Sequence, residues 1–161
     1  MLLKLRFKKL SEASRDDLPD ILLLQKDCYQ EEAELYDEYE IPPLTQTVEE
    51  INADFGKEQF FKIEMGDKIV GSVRLLLDGT IGKIGRLIVH KDYRNQGLGT
   101  KMMNHLESIF PTVNRFELFT GHRSERNLYL YKKLGYKEYK RQRMNDKLEL
   151  IFLEKIKTPE C

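Results

Sequence analysis

A chain of 161 residues with 40% hydrophobic content is long enough for one sizeable core, and we expect a single domain over residues 1–161. Its 27 Lys and Arg balance its 27 Asp and Glu, and the resulting net charge of zero disfavours a globally basic nucleic-acid-binding protein. Its two cysteines, Cys28 and Cys161, give neither a disulfide framework nor the spacing of metal ligands, and no apolar run has the length of a secretion signal or a membrane span. We therefore expect a cytoplasmic globular protein with no bound metal, no membrane association and no nucleic-acid partner.

The first third of the chain predicts a strand followed by two helices. Apolar and basic residues alternate over residues 2–10, which is the two-residue period of a half-buried strand. Helical spacing follows over residues 18–39, and we expect Pro42 and Pro43 to stop any helix. Thr47, with Glu50 three positions later, forms a capping-box pattern that predicts a short second helix ending near Gly56.

The rest of the chain predicts a three-stranded meander and then alternating helices and strands. Gly66-Asp67 and Asp78-Gly79 separate three runs rich in Phe, Ile, Val and Leu, and such pairs are hairpin turn signals. The predicted elements are strands at 59–65, 68–77 and 81–90, a helix at 97–110, a strand at 115–120, a helix at 124–134, and strands at 136–141 and 148–155. The order βααβββαβαββ predicts an α/β fold, with helices packed on a central mixed sheet.

Charge is distributed unevenly along the chain. Residues 27–56 contain ten acidic residues and no Lys or Arg, whereas residues 83–147 contain fifteen basic and six acidic residues. Such runs are commonly solvated helix faces. They equally fit a protein whose two halves bind ligands of opposite sign.

Residues 87–100 run from a buried strand through a polar turn into glycines that open an amphipathic helix. The first backbone N–H groups of a helix have no intrahelical partner, and the helix dipole adds partial positive charge, so the main chain there can hold a phosphate. Gly97 and Gly99 would let a diphosphate approach those amides, and Arg94 adds a side-chain charge, although two such glycines can also be simple turn residues. Met102 stands where a dinucleotide-binding Gly-x-Gly-x-x-Gly would need its third glycine.

The same segment resembles the GNAT superfamily of acyl-CoA-dependent N-acyltransferases. The family signature, Arg/Gln-x-x-Gly-x-Gly/Ala at the start of a helix, is matched by Arg-Asn-Gln-Gly-Leu-Gly at residues 94–99. Residues 124–136 resemble a second family block, Asn-x-x-Ala-x-x-x-Tyr-x-x-x-Gly-Phe, with Tyr131 in the tyrosine position and with Ser124 and Asn127 where Asn and Ala are usual. The two motifs lie on the predicted elements in the family's order. The resemblance therefore implies the family fold over nearly the whole chain, with a mostly antiparallel sheet splayed at the cofactor site and helices on both faces.

The resemblance implies an N-acetyltransferase that moves an acetyl group from acetyl-CoA to a primary amine by direct transfer in a ternary complex. The diphosphate would lie on the amides that follow Arg94, and the pantetheine arm on the backbone of residues 87–89. Lys101, Arg126 and Lys133 are candidate partners for the phosphates of CoA. The implied cofactor-binding residues are Leu87, Ile88, Val89, Arg94, Asn95, Gln96, Gly97, Leu98, Gly99, Thr100 and Asn127.

Proton transfer requires an acid and a base. An alkylamine has a pKa of about 10.4 and must lose a proton before or during attack, and the leaving thiolate must gain one. The resemblance assigns the acid to Tyr131. The base stays open, because the strand at residues 84–89 lacks the Glu that many relatives place there; the alternatives are Glu117, Glu64, His90, His122 and a water chain.

The acidic stretch at residues 28–40 occupies the position of the family's variable acceptor-binding helices. Carboxylates attract an ammonium group and tyrosine faces bind it through cation–π contact, so this stretch predicts a cationic small-molecule or peptide acceptor. Tyr29, Glu32 and Tyr36 are the predicted substrate-binding residues.

Two other classes of function compete with the enzyme. The missing strand carboxylate suggests a catalytically inactive CoA-binding sensor or interaction module. The basic second half suggests a nucleic-acid-binding domain, although no recognisable reading motif accompanies it. We expect a monomer or a homodimer.

Overall fold

The structure is a computed structural model that describes residues 8–157. The strands are β1 (Lys8–Glu12), β2 (Gln59–Met65), β3 (Lys68–Asp78), β4 (Ile81–Val89), β5 (Arg115–Gly121), β6 (Lys137–Arg143) and β7 (Glu149–Ile156). The α-helices are α1 (Leu18–Tyr36), α2 (Pro42–Thr45), α3 (Val48–Phe55), α4 (Leu98–Ile109) and α5 (Glu125–Lys133). None of these helices is long and apolar enough to cross a membrane.

The described strands form one sheet in the order β1-β2-β3-β4-β5-β7-β6. Neighbouring strands are antiparallel, except that β4 and β5 run parallel. A parallel connection needs a crossover, and α4 supplies it between β4 and β5.

Two apolar clusters pack on opposite faces of the sheet. The larger contains Met102, Met103 and Leu106 of α4, all with no exposed surface, together with inward residues of the central strands. The smaller contains Leu18 and Ile21 of α1 and residues of α3 and of strands β2 to β4. These clusters confirm the predicted α/β class with helices on both faces.

The predicted element order is confirmed, with one extra helix. Pro42 and Pro43 begin the one-turn helix α2, so the expectation that they stop any helix is wrong; the fixed φ of proline suits the first helical turn, where a missing N–H costs nothing. Helix α1 ends at Tyr36, before the predicted residue 39, because Asp37 adopts a left-handed conformation with φ 49°. Residues 2–7 of the predicted first strand lie outside the described residues.

Candidate acyl-transfer site

Strands β4 and β5 pair along only part of their length. Ile81, Gly82 and Lys83 pair with Arg115, Phe116 and Glu117, and the strands separate beyond Lys83. A cavity of about 430 Å³ adjoins the free part of β4. It is lined by Cys28, Tyr29, Glu31 and Glu32 of α1, by Leu87, Ile88 and Val89 of β4, by Tyr93, Arg94, Asn95, Gly97, Leu98, Gly99 and Thr100, and by Arg126, Asn127, Tyr129, Leu130 and Lys133 of α5.

The loop from β4 to α4 presents backbone amides to this cavity. Asn95 and Gly97 both have positive φ, at 62° and 77°, and Gly97 caps the helix. The first intrahelical hydrogen bond runs from the Lys101 N–H to the Gly97 carbonyl, at 2.9 Å, so the amides of residues 98–100 have no acceptor within the helix. These amides are the group that an anion at a helix N-terminus binds.

Structural reasons explain both glycines of the motif. Gly97 needs the left-handed conformation that glycine adopts without strain. A Cβ at Gly99 would lie 3.1 Å from Cδ2 of Leu130, so the absence of a side chain lets α5 approach α4 closely. Gly99 nevertheless lines the cavity, as Gly97 does.

Arg94 is held beside the loop by α1. Its Nε donates to the Val89 carbonyl at 3.2 Å and its Nη1 donates to Glu31 at 2.7 Å. Arg126 of α5 reaches the same Glu31 carboxylate at 3.5 Å. Partial burial alone would raise the pKa of Glu31, but the hydrogen bond and charge of Arg94 lower it below its ordinary value. An acidic residue of the first half thus pairs with two of the cations that face the cavity, Arg94 and Arg126.

Tyr131 is buried under the site, with 5% of its surface exposed, and does not belong to the cavity lining. Its ring centre lies 6.1 Å from that of Tyr136. Burial, and then the nearby Tyr29 and Glu32, raise the pKa of Tyr131 well above its ordinary value. The phenol is therefore a proton donor throughout the neutral range.

Glu32 is joined to Tyr36 by a hydrogen-bonded chain that the sequence did not reveal. The Ser124 hydroxyl donates to Glu32 at 2.6 Å and lies 2.8 Å from the Tyr36 hydroxyl. Tyr36 is itself buried and outside the cavity lining. Asn127, the other residue of the second motif, lines the cavity and donates to the Thr120 hydroxyl at 3.3 Å. Ser124 and Asn127 therefore have separate structural roles.

The four side chains that the sequence offered as bases do not line the cavity among the described residues. Glu117 pairs with Arg115 at 2.8 Å, and Glu64 pairs with Lys62 on β2 at 2.7 Å, two strands from β4. His90 Nδ1 accepts the Asp92 N–H, and His122 Nδ1 accepts the Glu149 N–H. Of the described acids, only Glu31 and Glu32 border the cavity.

Most of the predicted site residues converge on the cavity. All eleven predicted cofactor-binding residues except Gln96 line it. Of the predicted substrate-binding residues, Tyr29 and Glu32 line the cavity and Tyr36 does not. The predicted acid, Tyr131, is also buried outside the lining. The separated strands, the free amides and the cations Arg126 and Lys133 fit a long anionic ligand carrying a diphosphate, which is the chemistry of CoA.

Comparison with known proteins agrees with this geometry. Residues 18–136 match the model of the acetyltransferase (GNAT) family. The fold is similar to the ribosomal-protein-S18-alanine N-acetyltransferase of Escherichia coli, at 17% identity and a TM-score of 0.78, with 95% of this chain and 96% of that chain covered. It is also similar to the spermidine N-acetyltransferase of Vibrio cholerae in complex with CoA and spermine, at 15% identity, a TM-score of 0.73 and coverage of 94% and 96%. A third similar structure is PaiA N-acetyltransferase of Thermoplasma acidophilum in complex with coenzyme A, at 13% identity, a TM-score of 0.74 and coverage of 92% and 98%. No curated protein matches the chain.

Proposed function

We propose that this chain, which belongs to the acetyltransferase (GNAT) family and is an acyl-CoA-dependent N-acetyltransferase, transfers an acetyl group from acetyl-CoA directly to a primary amine. The observation that carries the proposal is the cavity at the separation of β4 and β5, bordered by the first amides of α4, which have no acceptor within the helix. Two of the similar structures above are N-acetyltransferases named for their acceptors, spermidine and the alanine of ribosomal protein S18.

The loop and helix residues provide the binding groups for acetyl-CoA, which supplies the activated acetyl thioester. The amides of residues 98–100 hold the diphosphate, and Arg94, Arg126 and Lys133 contribute cationic donors. The backbone of Leu87–Val89, on the edge of β4 that β5 leaves unpaired, orients the pantetheine arm as an added strand would be held. Direct transfer then depends chiefly on holding the two reactants in line.

Glu32 and Tyr131 are the groups that we assign to proton transfer. Glu32 lines the cavity together with Tyr29, and after burial its charge is among the causes that raise the pKa of Tyr131. Ser124 fixes the carboxylate by its hydrogen bond and leaves it free to receive the proton of the amine. Tyr131, kept protonated by burial, gives its proton to the leaving sulfur.

The direct test measures CoA release across a panel of primary amines. We expect Tyr131→Phe to lower kcat by about 100-fold or more, because one general acid is lost, with the dissociation constant for CoA unchanged. Tyr136→Phe is the matched control, since Tyr136 is also buried and next to Tyr131 but donates its hydroxyl to Glu107, at 3.1 Å. Glu32→Gln should lower kcat/KM most at neutral pH, where the amine must lose a proton.

Other results would overturn the proposal. Stoichiometric CoA binding with no release across the amine panel would indicate the CoA-binding module instead of the enzyme. Equal kcat values for Tyr131→Phe and Tyr136→Phe would remove Tyr131 as the acid.

The class of acceptor, the cellular location, the domain extent and the oligomeric state stay predictions. Glu32 and Tyr29 at the cavity support an amine that carries positive charge, in a small molecule or a peptide. A cytoplasmic location, the single domain over residues 1–161 and a monomer or homodimer are retained from the sequence.

A further inference from the structure

Arg86 stands at a β-bulge of β4, in a backbone conformation that is uncommon for a residue with a side chain. Its φ is 50°, and the pairing of β3 with β4 shifts register at this point. The bulge changes which face the strand presents: Ile84 packs in the cluster of α4, whereas Ile88 packs in the cluster of α1. Tyr29 of α1 packs against that second cluster, on the same face as Ile88. The bulge thus turns Arg86 toward the face that α1 covers.

The guanidinium of Arg86 makes no hydrogen bond or ion pair with any of the described residues, and its Nε is buried. By contrast, the guanidinium of Arg74 on the neighbouring strand β3 makes several hydrogen bonds. Its Nη1 donates to Asp54 at 2.7 Å and Glu58 at 3.2 Å, and its Nη2 donates to Gln25 at 2.8 Å. Asp54 and Glu58 are therefore held by Arg74, and the donors of Arg86 lack acceptors among the described residues.

An unpaired, half-buried cation on a strained backbone is unfavourable by itself. Such features cluster at active sites and ligand-binding sites, where a ligand can supply the missing partner. The planar fork of a guanidinium matches the two oxygens of a carboxylate. We propose that Arg86 binds a carboxylate of the acceptor, so that the substrate is an amine that also carries an acid group. This inference rests on the proposed transfer to an amine and names the class of that amine.

The two ends of such an acceptor have separate places in the structure. Arg86 does not line the cavity, but it is next to Leu87 in the chain. Leu87 lines the cavity together with Tyr29, which packs on the face of the sheet that α1 covers. The amine lies in the cavity with Glu32, and the carboxylate reaches past Tyr29 to Arg86. An acceptor with a positive amine at one end and a negative carboxylate at the other would explain why the proposed acceptor-binding residues include both the acid Glu32 and the unpaired Arg86.

The experiment compares acids with their amides as acceptors. The probes are α-amino acids and ω-amino acids of increasing chain length, each paired with its primary amide, and CoA release gives kcat/KM. For the acid–amide pair that it uses best, we expect the wild type to have a kcat/KM roughly 10- to 100-fold higher for the acid than for the amide. This is the range for a hydrogen bond to a charged group. Arg86→Gln should reduce this preference to about twofold or less, with amide turnover retained. Arg86→Lys should give an intermediate preference, because it keeps the charge and loses the fork.

Arg115→Gln is the matched control. Arg115 also has a buried Nε without a partner, but its Nη2 pairs with Glu117 at 2.8 Å and with Glu154 at 2.7 Å. Its replacement should leave the preference for acids unchanged. Thermal unfolding and calorimetric CoA binding establish that each variant is folded.

Calorimetric titration of the same acids into the CoA-loaded protein gives a readout that does not depend on turnover. Equal use of acids and amides by the wild type, or an unchanged preference in Arg86→Gln, overturns the inference and leaves acetyl transfer intact. Binding of acids that Arg86→Gln abolishes, without CoA release from any amine, overturns the proposed function and retains Arg86 only as a carboxylate-binding residue. The absence of both a preference for acids and any binding of acids overturns the inference.

Discussion

Gly121 at the end of β5 is a residue whose lack of a side chain positions the proposed base. A Cβ at this position would overlap the ring and hydroxyl of Tyr36. That hydroxyl accepts the Arg123 N–H at 2.8 Å and hydrogen bonds with Ser124, which in turn holds Glu32. We expect Gly121→Ala to lower the free energy of unfolding by about 2 kcal/mol, because Tyr36 must move in a packed site. It should also lower kcat, because the chain that orients Glu32 is disturbed.

Urea unfolding in two backgrounds tests this interpretation. Replacing the tyrosine by Tyr36→Ala removes the overlap, so Gly121→Ala should then have a much smaller effect. Gly85→Ala is the control, since a Cβ at Gly85 meets no atom within 4 Å. An equal cost of Gly121→Ala in both backgrounds would contradict the proposed overlap.

At the scale of elements, the start of α1 is tied to β2 by charged groups. Nζ of Lys62 lies 2.8 Å from Asp17 and 2.7 Å from Glu64, and Asp17 also accepts the Ser14 N–H at 2.8 Å. Burial alone would raise the pKa of Asp17, but the hydrogen bonds from Lys62 and Ser14 lower it. A carboxyl group whose pKa is lower in the folded state stabilises the fold above its unfolded pKa of about 3.9. The stabilisation is lost as the pH falls through the lower, folded pKa.

We therefore expect a pH-dependent effect of Asp17→Asn on stability. At neutral pH the variant should unfold with a free energy about 1 kcal/mol smaller than that of the wild type. The difference should shrink below about pH 4 and disappear once Asp17 of the folded wild type is protonated. Urea unfolding across this range measures it, with Asp16→Asn as the control, because Asp16 forms no ion pair with the described residues. A difference that does not change with pH would contradict this account.

Across the whole molecule, the sequence predicted the features that depend only on residues close together in the chain. The capping box of Thr47 and Glu50 forms as expected, and the loop that follows Arg94 was recognisable because its chemistry is contained in one segment. The strand order β5-β7-β6 was not predicted, since a hydrophobic pattern gives the face of a strand but not its partner. The bulge that turns Arg86 toward α1 has no recognised signal in the residues around it.

Contacts between distant segments account for the rest of the site. Glu31 and Arg94 are 63 residues apart, and Tyr36 and Ser124 are 88 residues apart. The sequence separates an acidic from a basic half, a pattern that fits either solvated helix faces or ligands of opposite sign. In the folded chain the acidic half also pairs with the basic half. Glu31 of α1 does so near the cavity, and Asp37, just after α1, lies 3.5 Å from Lys147. Part of the charge that faces the cavity is thus neutralised by the chain itself.

This internal neutralisation predicts that Glu31 competes with the phosphates of CoA. Glu31→Gln should tighten CoA binding by about twofold to fivefold at low salt, because Arg94 and Arg126 are no longer held by a partly exposed carboxylate. The gain should diminish in high salt, where exposed charges are screened. Calorimetric titration of CoA at two salt concentrations measures it. Glu34→Gln is the control on the same helix, since the Glu34 carboxylate accepts only from Gln30, at 3.4 Å, among the described residues. Weaker CoA binding by Glu31→Gln would instead mean that the carboxylate orients Arg94 for the diphosphate, and the acidic helix would then assist the donor site.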